Sequence, residues 1–169
     1  MKQKKIFKNV IFSTILTSTV FTLVGCDKKP DVSGVLTEEQ IKIKNTIESR
    51  QAGYQDMGAA FKAISDEMKQ GNMASTTVKF SAKAIQGYAR DAKHWFPENS
   101  GNDSGFETEA KASIWENLSD FNQLQESLIT EAVELVVVTN SEGGEGLPAQ
   151  FKKTGGVCKQ CHDKYREED

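Results

Sequence analysis

Eight residues between positions 43 and 68 fall at intervals of 4-3-4-3-4-3-4: Ile43, Ile47, Arg50, Tyr54, Met57, Phe61, Ile64 and Met68. Residues three and four apart share one face of an α-helix, so the spacing predicts a single long seam that other helices must cover. A half-buried strand would alternate every second residue, and this stretch does not. Just ahead, Thr37-Glu38-Glu39-Gln40 has the form of a capping box. Gly71-Asn72 ends the expected helix. Arg50 is the one charged member of the seam.

The rest of the chain also reads as helix. A second helix over about 75–95 places Val78, Ala82, Ile85, Ala89 and Ala92 on one face, and Phe96-Pro97 stops it. Residues 97–106, rich in Pro, Gly, Asn, Asp and Ser, form a loop. A third helix over about 107–140 carries Ile114, Leu118, Phe121, Leu128, Ala132 and Leu135. Its β-branched Val136-Val137-Val138 run should weaken that end. Asn140 to Gly146 breaks the chain, and a fourth helix follows over about 147–167. Four helices with short connections predict an all-α, antiparallel four-helix bundle.

The fourth helix carries Cys158-Lys159-Gln160-Cys161-His162. Cys-x-x-Cys-His is the attachment signature of a c-type haem. Positions i, i+3 and i+4 share a helix face, so both thiols can form thioethers with the haem vinyl groups. His162 can then place a neutral imidazole on the iron. Two other chemistries use such a pair. A thioredoxin-like redox pair opens a helix after a strand in a βα pattern, which is absent here. A zinc site needs a fourth ligand, and the only other histidine is His94.

The N-terminus fits an export route. Lys2, Lys4, Lys5 and Lys8 precede an acid-free stretch over residues 10–24, apolar with interspersed Ser and Thr, which reads as a secretory signal rather than a membrane span. It ends Leu23-Val24-Gly25-Cys26, which resembles a bacterial lipoprotein processing box. That resemblance implies cleavage before Cys26 and acylation of its thiol and new amine, a firm anchor given the cost of withdrawing several acyl chains from a bilayer. A plain signal with a stray cysteine is the alternative. One cysteine for lipid and two for haem leave none for a disulfide. The expected organisation is therefore a signal at 1–25, a tether at 26–36 and the bundle at 37–169, in a periplasmic, lipid-anchored protein. Asp27, directly after the lipid cysteine, resembles an inner-membrane retention signal. Removing residues 1–25 takes away four lysines and no acid, so the net charge of −3 becomes −7. An acidic surface argues against nucleic acid as a partner.

The pattern of motifs resembles the cytochrome c′ family, the class II c-type cytochromes, whose four-helix bundle carries Cys-x-x-Cys-His on its last helix. Arg50-Gln51, Met57-Gly58, Lys69, Ala110-Lys111, Ile114-Trp115, Phe121 and Gly156-x-Cys158-Lys159-x-Cys161-His162-Asp163-x-Tyr165-Arg166 fall in family order. The resemblance implies one covalent haem c with His162 as proximal ligand, Arg166 beside that face, and Arg50 and Gln51 near the propionates. A propionate would supply the anion that a buried Arg50 needs; a side chain that snorkels at the bundle edge is the other reading. Tyr54 falls where the family places its distal residue. A neutral phenol is a poor iron ligand, so the resemblance implies a five-coordinate, high-spin iron that admits NO and CO. If Met57 turned its sulfur to the iron, a low-spin electron carrier would result; core packing is its plainer role. His94 reads as a surface or capping residue rather than a second ligand, and Trp115 as core or interface bulk. A catalytic haem such as a peroxidase would want distal acid–base groups, and no distal histidine is visible, so the chain is not expected to be an enzyme. The family's habit of pairing through its first two helices implies a homodimer.

Overall fold

The computed structural model describes residues 34–167. The expected signal, the expected lipid site at Cys26 and the expected tether up to residue 33 lie outside the described residues.

The capping box forms as its sequence predicts. The Gln40 N–H donates to the Thr37 hydroxyl at 3.2 Å, and the Thr37 N–H donates to the Gln40 side-chain oxygen at 2.9 Å. Two otherwise orphaned helix donors are thereby satisfied, and α1 runs over Glu38–Lys69. All eight seam residues are buried or half-buried. Ser75 caps α2 (Thr76–Asp91) by accepting from the Val78 N–H. A 3₁₀ turn over Ala92–His94 extends it. Val78, Ala82, Ile85, Ala89 and Ala92 are all buried, as the spacing requires.

The third helix departs from expectation. Residues 107–112 are not helical; a short α3 (Ser113–Glu116) breaks at Asn117 (φ −128°, ψ 41°), and α4 runs over Leu118–Thr139. The cause is tertiary. Ala110 forms an isolated antiparallel bridge with Arg166. The Lys111 N–H donates to the Tyr165 carbonyl at 3.0 Å, and the Glu167 N–H to the Glu109 carbonyl at 2.8 Å. A backbone engaged sideways cannot also close i→i−4 bonds. The break turns Leu118 outward, 43% exposed, against its expected place in the seam. Conversely, Val136-Val137-Val138 stays helical to Thr139, because Val136 and Val138 pack on the core. Packing outweighs a propensity deficit of a few tenths of a kcal/mol, roughly, per residue.

A tight turn with positive φ at Gly143 (73°) and Gly144 (68°) leads into α5 (Leu147–Tyr165). A Cβ on Gly144 would lie 2.8 Å from the Met73 carbonyl oxygen, so that close approach also calls for glycine. The tightest pairs of helices are α1–α2, α2–α4 and α4–α5. They enclose a core of Met57, Ile64, Val78, Ile85, Leu135 and Leu147. No strand occurs among the described residues, and no described helix is long and apolar enough to cross a membrane. Between α1 and α5 the Phe61 and Phe151 rings stack (centroids 3.9 Å, interplanar angle 16°), closing one end of that side. Towards the other end the two helices frame a cavity.

Candidate functional site

The cavity has a volume of about 880 Å³. That lies in the upper part of the roughly 300–1,000 Å³ range of small-molecule and cofactor sites. Cys158, Cys161, His162, Arg50, Gln51, Tyr54, Met57 and Arg166, eight residues from two ends of the chain, all line it.

Cys158, Cys161 and His162 project from one turn of α5. The thiols are free and half-buried. Burial raises both thiol pKa values, that of Cys161 to about 11, so both are neutral at ordinary pH. Partial desolvation, then the neighbouring Arg166 cation, lowers that of His162 and keeps the imidazole neutral and able to ligate. The pair sits late in a helix with no preceding strand, unlike a thioredoxin site. Among the described residues no three His, Cys, Asp or Glu side chains gather as a metal cluster. Two neutral thiols and an imidazole on one face, opposite an apolar wall of Met57, Phe61, Ile85 and Leu128, suit a large flat macrocycle held by thioethers.

Tyr54 faces this turn from α1. Its ring stands edge-on to Trp95 (centroids 5.1 Å, 85°) and tilted against Phe96 (6.2 Å). Burial, and then the two thiols, push the phenol pKa well above its usual value, so the group stays protonated. Met57 is 6% exposed and belongs to both the core and the cavity wall.

Arg50 is only 3% exposed, which removes the snorkelling reading. Its protein partners are uncharged oxygens. Nη1 donates to the Trp95 carbonyl (3.2 Å) and the Ser100 hydroxyl (3.1 Å). Nη2 donates to the Ser100 carbonyl (2.8 Å) and the Thr108 hydroxyl (2.7 Å). The guanidinium also lies 4.7 Å from the Phe96 ring centre, within cation–π range. Burial lowers its pKa to about 10, and it remains charged at neutral pH. Arg50 thus pins the 95–108 loop that walls the cavity; Gln51 assists by donating to the Glu107 carbonyl at 3.0 Å. Arg166 pairs with Glu109 and so fastens the end of the same segment to α5.

Ser100 and Thr108 had no signal in the sequence, being ordinary loop hydroxyls. Gln125 had one: it fills the seam position between Phe121 and Leu128 on α4. Its side chain is 5% exposed, lines the cavity and donates to the Ala92 carbonyl at 3.3 Å. His94 is exposed and lines a separate outer groove, not the cavity. Trp115 is half-buried, donates from its indole to the Pro97 carbonyl at 3.1 Å and packs beside Phe96.

Tyr165 donates to Asp120 at 2.6 Å, and Lys164 pairs with the same carboxylate. These partners, Tyr165 first, hold the Asp120 carboxyl below its usual pKa. A depressed folded pKa adds stability above the unfolded value and loses it as pH falls through the folded one. Tyr165→Phe should therefore flatten the fall in melting temperature between about pH 5 and pH 2 that wild type shows, read by circular dichroism. A parallel shift of both curves would remove this linkage.

Comparisons with known proteins point the same way. The family model described as Cytochrome C' matches residues 45–166. A cytochrome c' of Allochromatium vinosum is 28% identical over 156 residues, covering 90% of this chain and 97% of that protein. The crystal structure of cytochrome c' from Thermochromatium tepidum aligns with a TM-score of 0.69 at 26% identity, over 75% of this chain and 98% of that one. A nitric oxide complex of a mutant cytochrome c prime from Alcaligenes xylosoxidans shares the fold (TM-score 0.66, 21% identity, 75% and 97% coverage).

Proposed function

The chain belongs to the cytochrome c′ family, and from that premise we propose that it binds NO and CO at a five-coordinate, high-spin haem c. Family membership brings one covalent haem c. In this chain Cys158 and Cys161 would hold it by thioethers and His162 would be the proximal ligand. When bound, the haem would supply an iron able to take a small gas molecule. The residues around it then decide what reaches the iron.

The observation that carries this reading is Tyr54. Its phenol is neutral, faces the Cys158–His162 turn across the cavity, and is braced by Trp95 and Phe96. A neutral phenol shields the iron without ligating it. It leaves room for a diatomic that can push the ring aside, and an apolar wall favours neutral gases over ions. A mutant cytochrome c prime from Alcaligenes xylosoxidans that shares this fold forms a nitric oxide complex, which supports the reading.

Met57 supports a second reading, since its buried side chain lines the same cavity. Thioether ligation would give a low-spin, one-electron carrier. Absorption and EPR spectra of the ferric and ferrous protein, with and without CO, separate the two. High-spin spectra that change on adding CO are expected; a six-coordinate low-spin spectrum indifferent to CO would overturn the proposal. The leader ending in Gly25-Cys26 supports placement at the periplasmic face of a bacterial membrane through lipid on Cys26. Loss of membrane fractionation and of palmitate labelling in Cys26→Ser is the corresponding check.

A further inference from the structure

We propose that the indole of Trp95 is the gate through which small neutral molecules reach the distal side of the cavity. The inference rests on the gas-binding reading and adds a route to it. Two concavities are separated by a pair of touching rings, Tyr54 on the cavity side and Trp95 on the groove side. The first is the cavity lined by Tyr54. The second is an outer groove of about 480 Å³ running along the first turns of α1, lined by Ile41, Asn45 and Ser49 and closed by His94 and Trp95. Trp95 walls the groove, and its ring meets Tyr54 edge-on at 5.1 Å. His162 is exposed at the cavity's rim, the side that a cofactor anchored at Cys158 and Cys161 would cover. The distal space then needs another entrance.

The backbone around the gate is fixed. The Trp95 carbonyl accepts from Arg50 at 3.2 Å, and the Trp95 N–H donates to the Ala92 carbonyl at 3.1 Å. The side chain is held by contact alone. The outer edge of its six-membered ring rests against Gly53 of α1, where any Cβ would overlap it, and the ring lies 6.5 Å from the Tyr88 ring centre. The indole nitrogen has no hydrogen-bond partner among the described protein atoms. A ring tethered by packing, without a polar lock, can swing about its side-chain torsions while the loop stays in place. Gly53 is then the floor on which it rests, and Tyr54 the neighbour that a displaced indole uncovers.

A gate changes how fast a molecule enters and leaves, and leaves the ratio of the two alone. In the ferrous holoprotein, Trp95→Ala should raise CO association by about tenfold, a barrier change of about 1.4 kcal/mol. Dissociation should rise by the same factor, both rates being read by flash photolysis and ligand replacement. Trp95→Phe should fall between. Gly53→Ala, which displaces the indole from the other side, should also alter both rates together. A rise in association with dissociation unchanged would make Trp95 a positioning residue for Tyr54 and overturn the gate; unchanged rates would do so too. If the wild type binds no CO at all, the gas-binding reading fails, and the route is still tested by xenon-pressurised crystals. Xenon density between groove and cavity in Trp95→Ala supports it. A gap sealed by Tyr54 and α1 refutes it.

Discussion

Replacing Arg50 with alanine is expected to destabilise the domain by about 3 kcal/mol or more, because it leaves four buried or half-buried oxygens on Trp95, Ser100 and Thr108 without their donor. At roughly 2–4 °C per kcal/mol for a domain of this size, the melting temperature should fall by about 6–12 °C. Arg50→Lys should recover little, since one ammonium cannot span the positions that the guanidinium fork reaches. The apoprotein makes the measurement decisive. All four partners are protein atoms, so the loss should appear without haem as well as with it. A loss confined to the holoprotein would return Arg50 to the propionate role that the family resemblance implies. The Nε–H is free of the four bonds described, so contact with a propionate could add to the clasp.

Tyr54→Ala should have the second large effect, on the other side of the cavity. A ligand that enters beside Tyr54 has to displace a ring packed against Trp95 and Phe96. Aromatic pairs of this kind are worth about 0.5–1.5 kcal/mol each beyond their burial. With the ring gone, that displacement costs nothing, and CO affinity should rise by about tenfold to a hundredfold, measured by equilibrium titration. Tyr54→Phe separates ring from hydroxyl. It should behave like wild type if the ring is the obstacle. Tyr54→Met tests the same position differently: it should convert high-spin iron towards low-spin by offering a thioether. No spectral change in Tyr54→Met, with CO affinity unchanged in Tyr54→Ala, would remove Tyr54 from the distal side.

The legible and the illegible divide along a physical line. The α1 seam could be read because a 3.5-residue period sustained over eight positions has one explanation, and each of those residues is buried or half-buried. The Cys158–His162 motif could be read because its chemistry demands local spacing. The start of the third helix could not. Residues 107–112 contain good helix formers, and what unwinds them is pairing with residues 165–167, more than fifty positions away. Arg50 was half-legible. A charged seam residue announces a buried partner, but nothing in a serine and a threonine of a polar loop says that they supply it. The embrace of Trp95 and Gly53 was silent for the same reason, since glycine within a helix signals close approach without naming what approaches. Gln125 was legible and overlooked, a polar residue at an apolar position.

Cys158, Cys161 and His162 occupy little more than one turn of α5, whereas most of the remaining wall comes from far earlier in the chain, from α1, Ile85 of α2, the segment 96–114 and α4. Covalent capture therefore needs no tertiary structure, since the whole motif is present in any extended chain that has emerged to residue 162. Assembly can run in an order that a preformed pocket would forbid: haem first, bundle second. The macrocycle would then serve as a template around which the distant α1 seam condenses, and the burial of its apolar faces would draw the long-range contacts together. Refolding of the haem-attached chain should on this view be faster than that of the bare one, although the two share every protein contact described.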